Sequence, residues 1–510
     1  MAAENSASET TRALRKKRLA AAASASSPVP SAAGSGSTTG RLVSLDAYRG
    51  FIMMMLAAGG FGLAAFCQME PDSAAWTNIA EKLTQRGVSD SAAAVQRIRE
   101  LGDYHFTHPS WNSASDNYGV AFWDLIQPAF MLMVGVSLPF SAARRRSSGE
   151  GLLRRMLHVL IRAAVLVALG VFLSSRGSTG THWVFPNVLC QIGLGYAFVC
   201  MFAGRRLLVQ FAAVILVLGG SWGLFYLNPP LEGYNSDAMR AELQIDDESE
   251  VFEGEFAAWS KNANIATRFD NWLLPQLRDP DVRIAELGQQ ESAAPAGSAV
   301  FTAVMDLAPV IPVERKWYHG VFFTSQEPFQ INRGGYTTLN FIPSMATMLL
   351  GAICGTLLID GSRTGWKKLG LLVALAAVCY GLGVAADMTI CPIVKRIWTP
   401  SWVLFSGGFV IGMLAVFYLL FDLFPLRFAA FPLVVVGTNS LLTYMIGQTV
   451  SGWIRQNIVV VHLSGLITTV FGPEAMAQEW YRSITVPTAG FVVIWLFLLW
   501  LYRQRIFLRV

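Results

Sequence analysis

Apolar runs of about 20 residues, separated by short polar or basic turns, set the rhythm of this chain. That is the length a helix needs to cross a lipid bilayer. The pattern predicts helices over 43–66, 119–142, 153–175, 183–203, 206–227, 335–359, 368–388, 398–423, 427–450 and 484–504. Ten crossings return the chain to the side it started from. The turn after the second run carries Arg144, Arg145, Arg146, Arg154 and Arg155. Later turns of the same parity hold Arg205, Arg206, Arg363, Lys367, Lys368 and Arg427, and Arg503, Arg505 and Arg509 follow the last run. Lys and Arg accumulate on the cytoplasmic side of membrane proteins, so both termini are expected there.

The opposite turns are the long ones, over 67–118, 228–334 and 451–483. The second is acidic early (Asp246, Asp247, Glu248, Glu250) and aromatic late, with a helix expected in Lys261–Leu277. The run Val459–Gly472 is read as too short to span, lying along the outer interface. The expected fold is an all-α polytopic membrane protein of about ten transmembrane helices. Its parts are a disordered cytoplasmic tail over 1–40, five helices within 41–227, a small extracytoplasmic subdomain over 228–334, and five helices within 335–510.

Composition agrees. Hydrophobic residues make up 53% and charged residues only 14%, against roughly a quarter charged in soluble domains. A net charge of +5, spread over turns, gives no reason to expect nucleic acid as a partner. The tail is rich in Ala, Ser, Gly and Pro, and its basic cluster around Arg15–Arg18 precedes no apolar core, which excludes a secretory signal. Six cysteines occur without a CxxC pair, mostly inside apolar runs where a thiol is a small hydrophobe. Only Cys67 and Cys391 fall near the outer face together, and no disulfide between them is expected. No metal site is predicted. The expected location is a bacterial inner (plasma) membrane, with the bilayer as partner and a homodimer allowed for.

One stretch carries the chemistry, Tyr104 to Phe140. It opens with His105 and His108 and runs into an apolar segment that holds a single acid, Asp124. A carboxylate inside a membrane helix is costly without a partner, and imidazole is the side chain suited to proton transfer near neutral pH. Asp124 and His108 are therefore the candidate catalytic pair, with His105 as the local rival; a structural hydrogen bond and an idle loop histidine are the plainer alternatives. Asn340 and Asn439 are amides within apolar helices, able either to line a cavity or to bond neighbouring helices. Lys395, Arg396 and Trp398 are expected at the outer mouth of the eighth helix, against the charge trend, where they could meet an acidic sugar.

HPSWNS at 108–113, FWDLIQPAFMLMVGVSLPFS at 122–141 and SLDAYRG at Ser44–Gly50 resemble transmembrane acetyltransferases typified by heparan-α-glucosaminide N-acetyltransferase. So do GGYTTLNFIPSMATMLLGAICG at Gly334–Gly355 and GTNSLLTYM at Gly437–Met445. The chain looks like a bacterial branch of that family. The resemblance implies an acyltransferase moving an acetyl group from cytoplasmic acetyl-CoA, as co-substrate, to an amino sugar or saccharide outside. It implies His108 as catalytic, with Trp111, Asn112, Asn340 and Asn439 around the acceptor, where Lys395 would join them as the charge able to meet an acidic sugar. Asp46 and Arg49, one turn apart, either pair simply with each other or, with Arg154 and Arg155, hold the phosphates of coenzyme A, since guanidinium binds phosphate bidentately; topology alone also demands basic turns here. Two departures stand out: Gly60 falls near a family asparagine, and Gln448 where a family histidine is expected. The alternatives are a sugar or lipid-linked saccharide transporter of the same fold without acyl chemistry, or a membrane scaffold presenting segment 228–334.

Overall fold

A computed structural model describes residues 42–108, 111–113, 119–147, 151–230, 232–281, 316–327 and 329–508. The expected tail over 1–40 and the Arg15–Arg18 cluster lie outside them. Among the described residues the chain is helical, with no strand. The main helices are α1 (Val43–Ala57), α2 (Ala74–Gln85), α3 (Ser91–Phe106), α4 (Phe122–Ser147), α5 (Leu152–Ser174), α6 (Val188–Phe202), α7 (Leu207–Tyr226) and α8 (Ile265–Leu273). They continue with α9 (Phe341–Ile359), α10 (Gly365–Thr389), α11 (Pro400–Tyr418), α12 (Arg427–Thr438), α13 (Ser440–Thr449), α14 (Ser451–Phe471) and α15 (Glu479–Arg503).

Eight of these are long and apolar enough to cross a membrane, or ten if each of two bent pairs is one crossing. The chain is an integral, multi-pass membrane protein. The total matches the ten expected, but the membership differs. The run over 183–203 shortens to α6, because Pro186 precedes Asn187, whose side chain accepts from Leu189 N and starts the helix there. In its place stands α14: the helix extends back from Val459 to Ser451, giving 21 residues through a stretch of π-helix. The argument from shortness therefore fails. Its contacts are those of a hairpin with the first half of α15, Arg455 lying against Gly490 and Val459 and Ile467 clustering with Tyr481 and Val486. The turn over 67–118 is also not plain loop, since α2 and α3 fold into a pair over Cys67 and Trp76.

Both bends have local causes. Gly59, Gly60 and Gly62 all take positive φ, between 59° and 73°, where α1 turns by 59° into the segment Gly60–Cys67. That conformation suits glycine best, so Gly60 serves the bend, wedged near Phe106 and Trp123. The other bend, 71° between α12 and α13, falls at Asn439. The centre is α9 packed on α4, and there glycines let backbones touch. A Cβ at Gly135 would overlap Met348 O, and at Gly351 and Gly355 would overlap Leu132 O and Val136 O. Small residues four apart are how membrane helices approach closely.

Hydrogen bonds tie the basic turns into one end of the bundle. Arg146 donates to Gly204 O, Gln210 to Thr356 Oγ1, and Val43 N to Asp422 Oδ1. His108 and the segment 390–399 gather at the opposite end. There the described part of 228–334 packs through Trp259 against Trp111, Phe225, Cys391, Val394 and Ile397. Cys67 and Cys391 are separate free thiols, the latter donating to Ser401 Oγ.

Candidate functional site

The site is assembled by backbone staples around residues 111–113. Trp111 is fully buried, its indole N–H donating to Trp259 O at 3.0 Å. Ser113 N donates to Ile393 O at 2.8 Å, and Lys395 N donates to Ser113 Oγ at 2.9 Å. These bonds fasten the segment after His108 to the turn between α10 and α11, bringing Lys395 beside His108. Asp124 joins them from the first turn of α4.

Three charged or titratable groups then meet at one oxygen. His108 Nδ1 and Lys395 Nζ both lie 2.6 Å from Asp124 Oδ1, and Lys395 Nζ is 3.2 Å from Nδ1. Asp124 and Lys395 side chains are 3% and 5% exposed, and His108 is 47% exposed. A carboxylate only accepts, so the shorter contact requires a proton on Nδ1. With Nδ1 donating, Lys395 bonds Asp124 and not the imidazole. Nε2 is then left as the acceptor nitrogen, and no described residue engages it. The buried charge of Asp124 is compensated by Lys395, as a carboxylate at such depth requires.

His108 and Lys395 open onto a cavity of about 420 Å³. Its deeper wall is apolar, with Met53, Ile126, Phe130 and Tyr444, the last two rings stacked at 6.2 Å. Asn187, Asn332, Tyr336 and Gln448 supply polar groups to its lining. Gln448 thus supplies a polar group where the family's histidine is expected, while its carbonyl takes a hydrogen bond from Arg176. Arg49 stands one turn beyond this floor: it follows the same helix as Met53 and donates to Met133 O, one turn past Phe130.

A second cavity of about 170 Å³ adjoins the first, both being lined by Val184, Pro186, Asn332 and Tyr336. Its polar lining comes from α8 and the turns beside it, including Asp270, Asn271, Arg278 and His182. Burial pushes the Asp270 carboxyl up to about 6, against hydrogen bonds from Thr338 that act the other way. Burial and the Arg278 guanidinium hold His182 below the usual imidazole range, and Glu327 opposes them.

The remaining expected residues divide sharply. Lys395 is in the site, but buried as an ion-pair partner, because the turn after α10 folds inward instead of presenting it at an exposed mouth. Trp111 is a structural anchor, and Asn112 beside it is half-buried and bonded elsewhere. Asn340 accepts from Thr337 Oγ1 and donates to Arg396 O, which fixes the start of α9. Asn439 donates to Ile506 O and accepts from Leu508 N at the α12–α13 bend. None of these four lines either cavity. Asp46 and Arg49 face each other at 3.9 Å. Arg154 and Arg155 sit at the far end of α5, about 29 Å along the helix from Ser174 at the cavity. His105 Nδ1 accepts weakly from Phe122 N at 3.4 Å, outside the cavity lining. Tyr336, Asn332 and Asp270 were not foreseen; each lies in or beside a polar turn that gives no periodic signal. Among the described residues no three His, Cys, Asp or Glu side chains group as metal ligands.

Residues 100–231 match the family described as heparan-alpha-glucosaminide N-acetyltransferase, catalytic. The matched stretch contains His108, Asp124 and α4 to α7. No curated protein matches the chain.

Proposed function

The chain belongs to the heparan-alpha-glucosaminide N-acetyltransferase catalytic family, and we propose that it moves an acetyl group from acetyl-CoA to the amino group of an amino sugar or saccharide. The observation that carries this reading is the 2.6 Å bond between His108 and Asp124 at the head of the cavity. An amine attacks a thioester carbon through its lone pair, so a proton must leave the nitrogen as the C–N bond forms. With Nδ1–H held by Asp124, His108 Nε2 takes that proton. The tetrahedral adduct then collapses, the C–S bond breaks, and the imidazolium returns the proton to the departing sulfur. The products are an amide and a free thiol. Asp124 fixes the tautomer and opposes the imidazolium charge; Lys395 acts through Asp124 as a positioning residue.

Supporting the donor side, the apolar wall of Met53, Phe130 and Tyr444 suits a pantetheine arm, and Arg49 beyond it suits phosphate. On this reading acetyl-CoA comes from the basic, cytoplasmic end and the acceptor from the His108 end. Arg154 and Arg155 act only as part of the basic field.

The test is purified protein in liposomes with labelled acetyl-CoA and a panel of amino sugars. His108→Ala is expected to cut transfer by at least about a hundredfold while acetyl-CoA still binds, and His105→Ala to cost far less. Transfer at the wild-type rate in His108→Ala would remove the histidine from the mechanism. Sugar flux without transfer by the wild-type protein would favour a transporter.

A further inference from the structure

Asp387 stands near the end of α10 and is the only acid on that helix. Its place is electrostatically poor, because the carbonyl end of a helix carries partial negative charge and disfavours a carboxylate. A cap is not what it supplies. Ile390 N and Cys391 N both donate to Ala386 O, which already closes α10. Met388 and Ile390 beside it are exposed, whereas Asp387 is half-buried and reaches into the turn that follows. There its Oδ1 accepts from Ile393 N at 2.7 Å, the short, charge-assisted kind of hydrogen bond.

Ile393 is the residue through which this turn holds the His108 segment. It is fully buried and gripped on both sides, its N–H by Asp387 and its carbonyl by Ser113 N at 2.8 Å. Two residues on, Lys395 N donates to Ser113 Oγ at 2.9 Å. The chain then closes behind Lys395: Trp398, at φ 54°, donates its N–H to Lys395 O at 2.9 Å, and Val394 N donates to Thr399 Oγ1 at 3.0 Å. A turn held this way leaves the Lys395 side chain one direction, toward Asp124. We propose that Asp387 is a positioning residue: by fixing Ile393 it sets the turn that brings Lys395 Nζ onto Asp124 Oδ1, and through that carboxylate it orients His108. Its weight in the reaction rests on the acetyl-transfer reading; its hold on Lys395 does not.

The full chain in detergent, without acetyl-CoA, is treated with a water-soluble N-hydroxysuccinimide ester of acetic acid, and lysine acylation is followed residue by residue by peptide mass spectrometry. Lys395 is buried and ion-paired, so it reacts slowly in the wild type. In Asp387→Ala it is expected to react at least about tenfold faster, as a locally loosened turn would allow. Asp387→Asn keeps an oxygen for Ile393 N and is expected to react at the wild-type rate. Lys261, buried against Glu250 in the outer subdomain, is the internal control and should stay slow in all three. In liposomes with labelled acetyl-CoA, Asp387→Ala should lose at least about tenfold in kcat with little change in the KM for acetyl-CoA, and Asp387→Asn should keep its transfer. Thermal transitions check the fold, and Asp387→Ser, whose hydroxyl falls short of Ile393 N, replaces the alanine variant if that one does not fold. Unchanged Lys395 acylation in the loss variant, equally faster acylation of Lys261, or undiminished transfer would each overturn the assignment. So would Asp387→Asn behaving like Asp387→Ala. Absence of transfer by the wild type, with Lys395 responding as expected, would remove the acetyltransferase reading and leave the positioning of Lys395 standing.

Discussion

Two carboxylate–cation pairs, one at each end of the bundle, look alike in sequence and differ in structure. Asp46 and Arg49 are 3.9 Å apart, with side chains 11% and 23% exposed, and Arg49 spends a donor on a backbone carbonyl. Asp124 and Lys395 are 2.6 Å apart and almost wholly buried, with His108 on the same oxygen. The first pair joins residues three apart on one helix, where proximity is automatic. The second joins residues from distant parts of the chain and exists only because Ser113 and Ile393 hold the two segments together. A pair that the fold must work to assemble is the better indicator of chemistry. The exposed arginines at the other end need no more explanation than topology.

The largest test of this contrast is Lys395→Met. It leaves Asp124 buried and uncompensated, and loss of one partner from such a pair costs about 3–5 kcal/mol. Thermal unfolding in detergent should show it directly. Adding Asp124→Leu should restore much of the stability but none of the acetyl transfer. A single Lys395→Met variant as stable as the wild type would mean the pair is not buried as described.

A smaller effect separates the buried Asp124–Lys395 pair from the neighbouring Asp270. Its folded carboxyl titrates near 6 and its unfolded one near 3.8, so protonation favours the folded state. That contribution is complete below about pH 3.8 and is lost as pH rises through about 6. Asp270→Asn should therefore be more stable than the wild type above pH 7, by about 2–3 kcal/mol at roughly 1.4 kcal/mol per pKa unit. The advantage should vanish near pH 4, and melting curves at the two pH values check it.

The smallest change is expected at the basic end. Breaking the Arg49–Asp46 pair, at its 3.9 Å separation, should cost less stability than breaking the 2.6 Å Lys395–Asp124 pair. Arg49→Ala should nevertheless raise the KM for acetyl-CoA, with a smaller change in kcat. Arg154→Ala with Arg155→Ala should move that KM less than Arg49→Ala alone. The reverse order would bring the far arginines into the donor site.

The membrane-spanning helices were legible because lipid demands unbroken apolar length, and that demand writes itself into consecutive residues. Asp124 was legible as an exception to it. Lys395 drew notice as a charge on the unexpected side, but its partner lies 271 residues away, and no local pattern reports such a distance. Asn340 and Asn439 looked like cavity amides because sequence shows a polar group in an apolar run without showing what satisfies it; backbone groups do. The helix α14 was underestimated because Arg455, Gln456 and Asn457 interrupt its apolar character, although the backbone winds through them. Asp270 had no signal beyond being one acid on the helix expected within Lys261–Leu277.

Asn439 holds the backbone of residues 506 and 508 with its two amide atoms, and α13, which begins directly after it, supplies Tyr444 and Gln448 to the cavity wall. In the time order of synthesis, His108 and Asp124 leave the ribosome hundreds of residues before this latch can close. The wall stays unfastened until α15 has entered the membrane and turned residues 506–508 back to the bend. A nascent chain thus carries His108 through most of translation beside a cavity wall that is fastened only when α15 has brought residues 506–508 to Asn439.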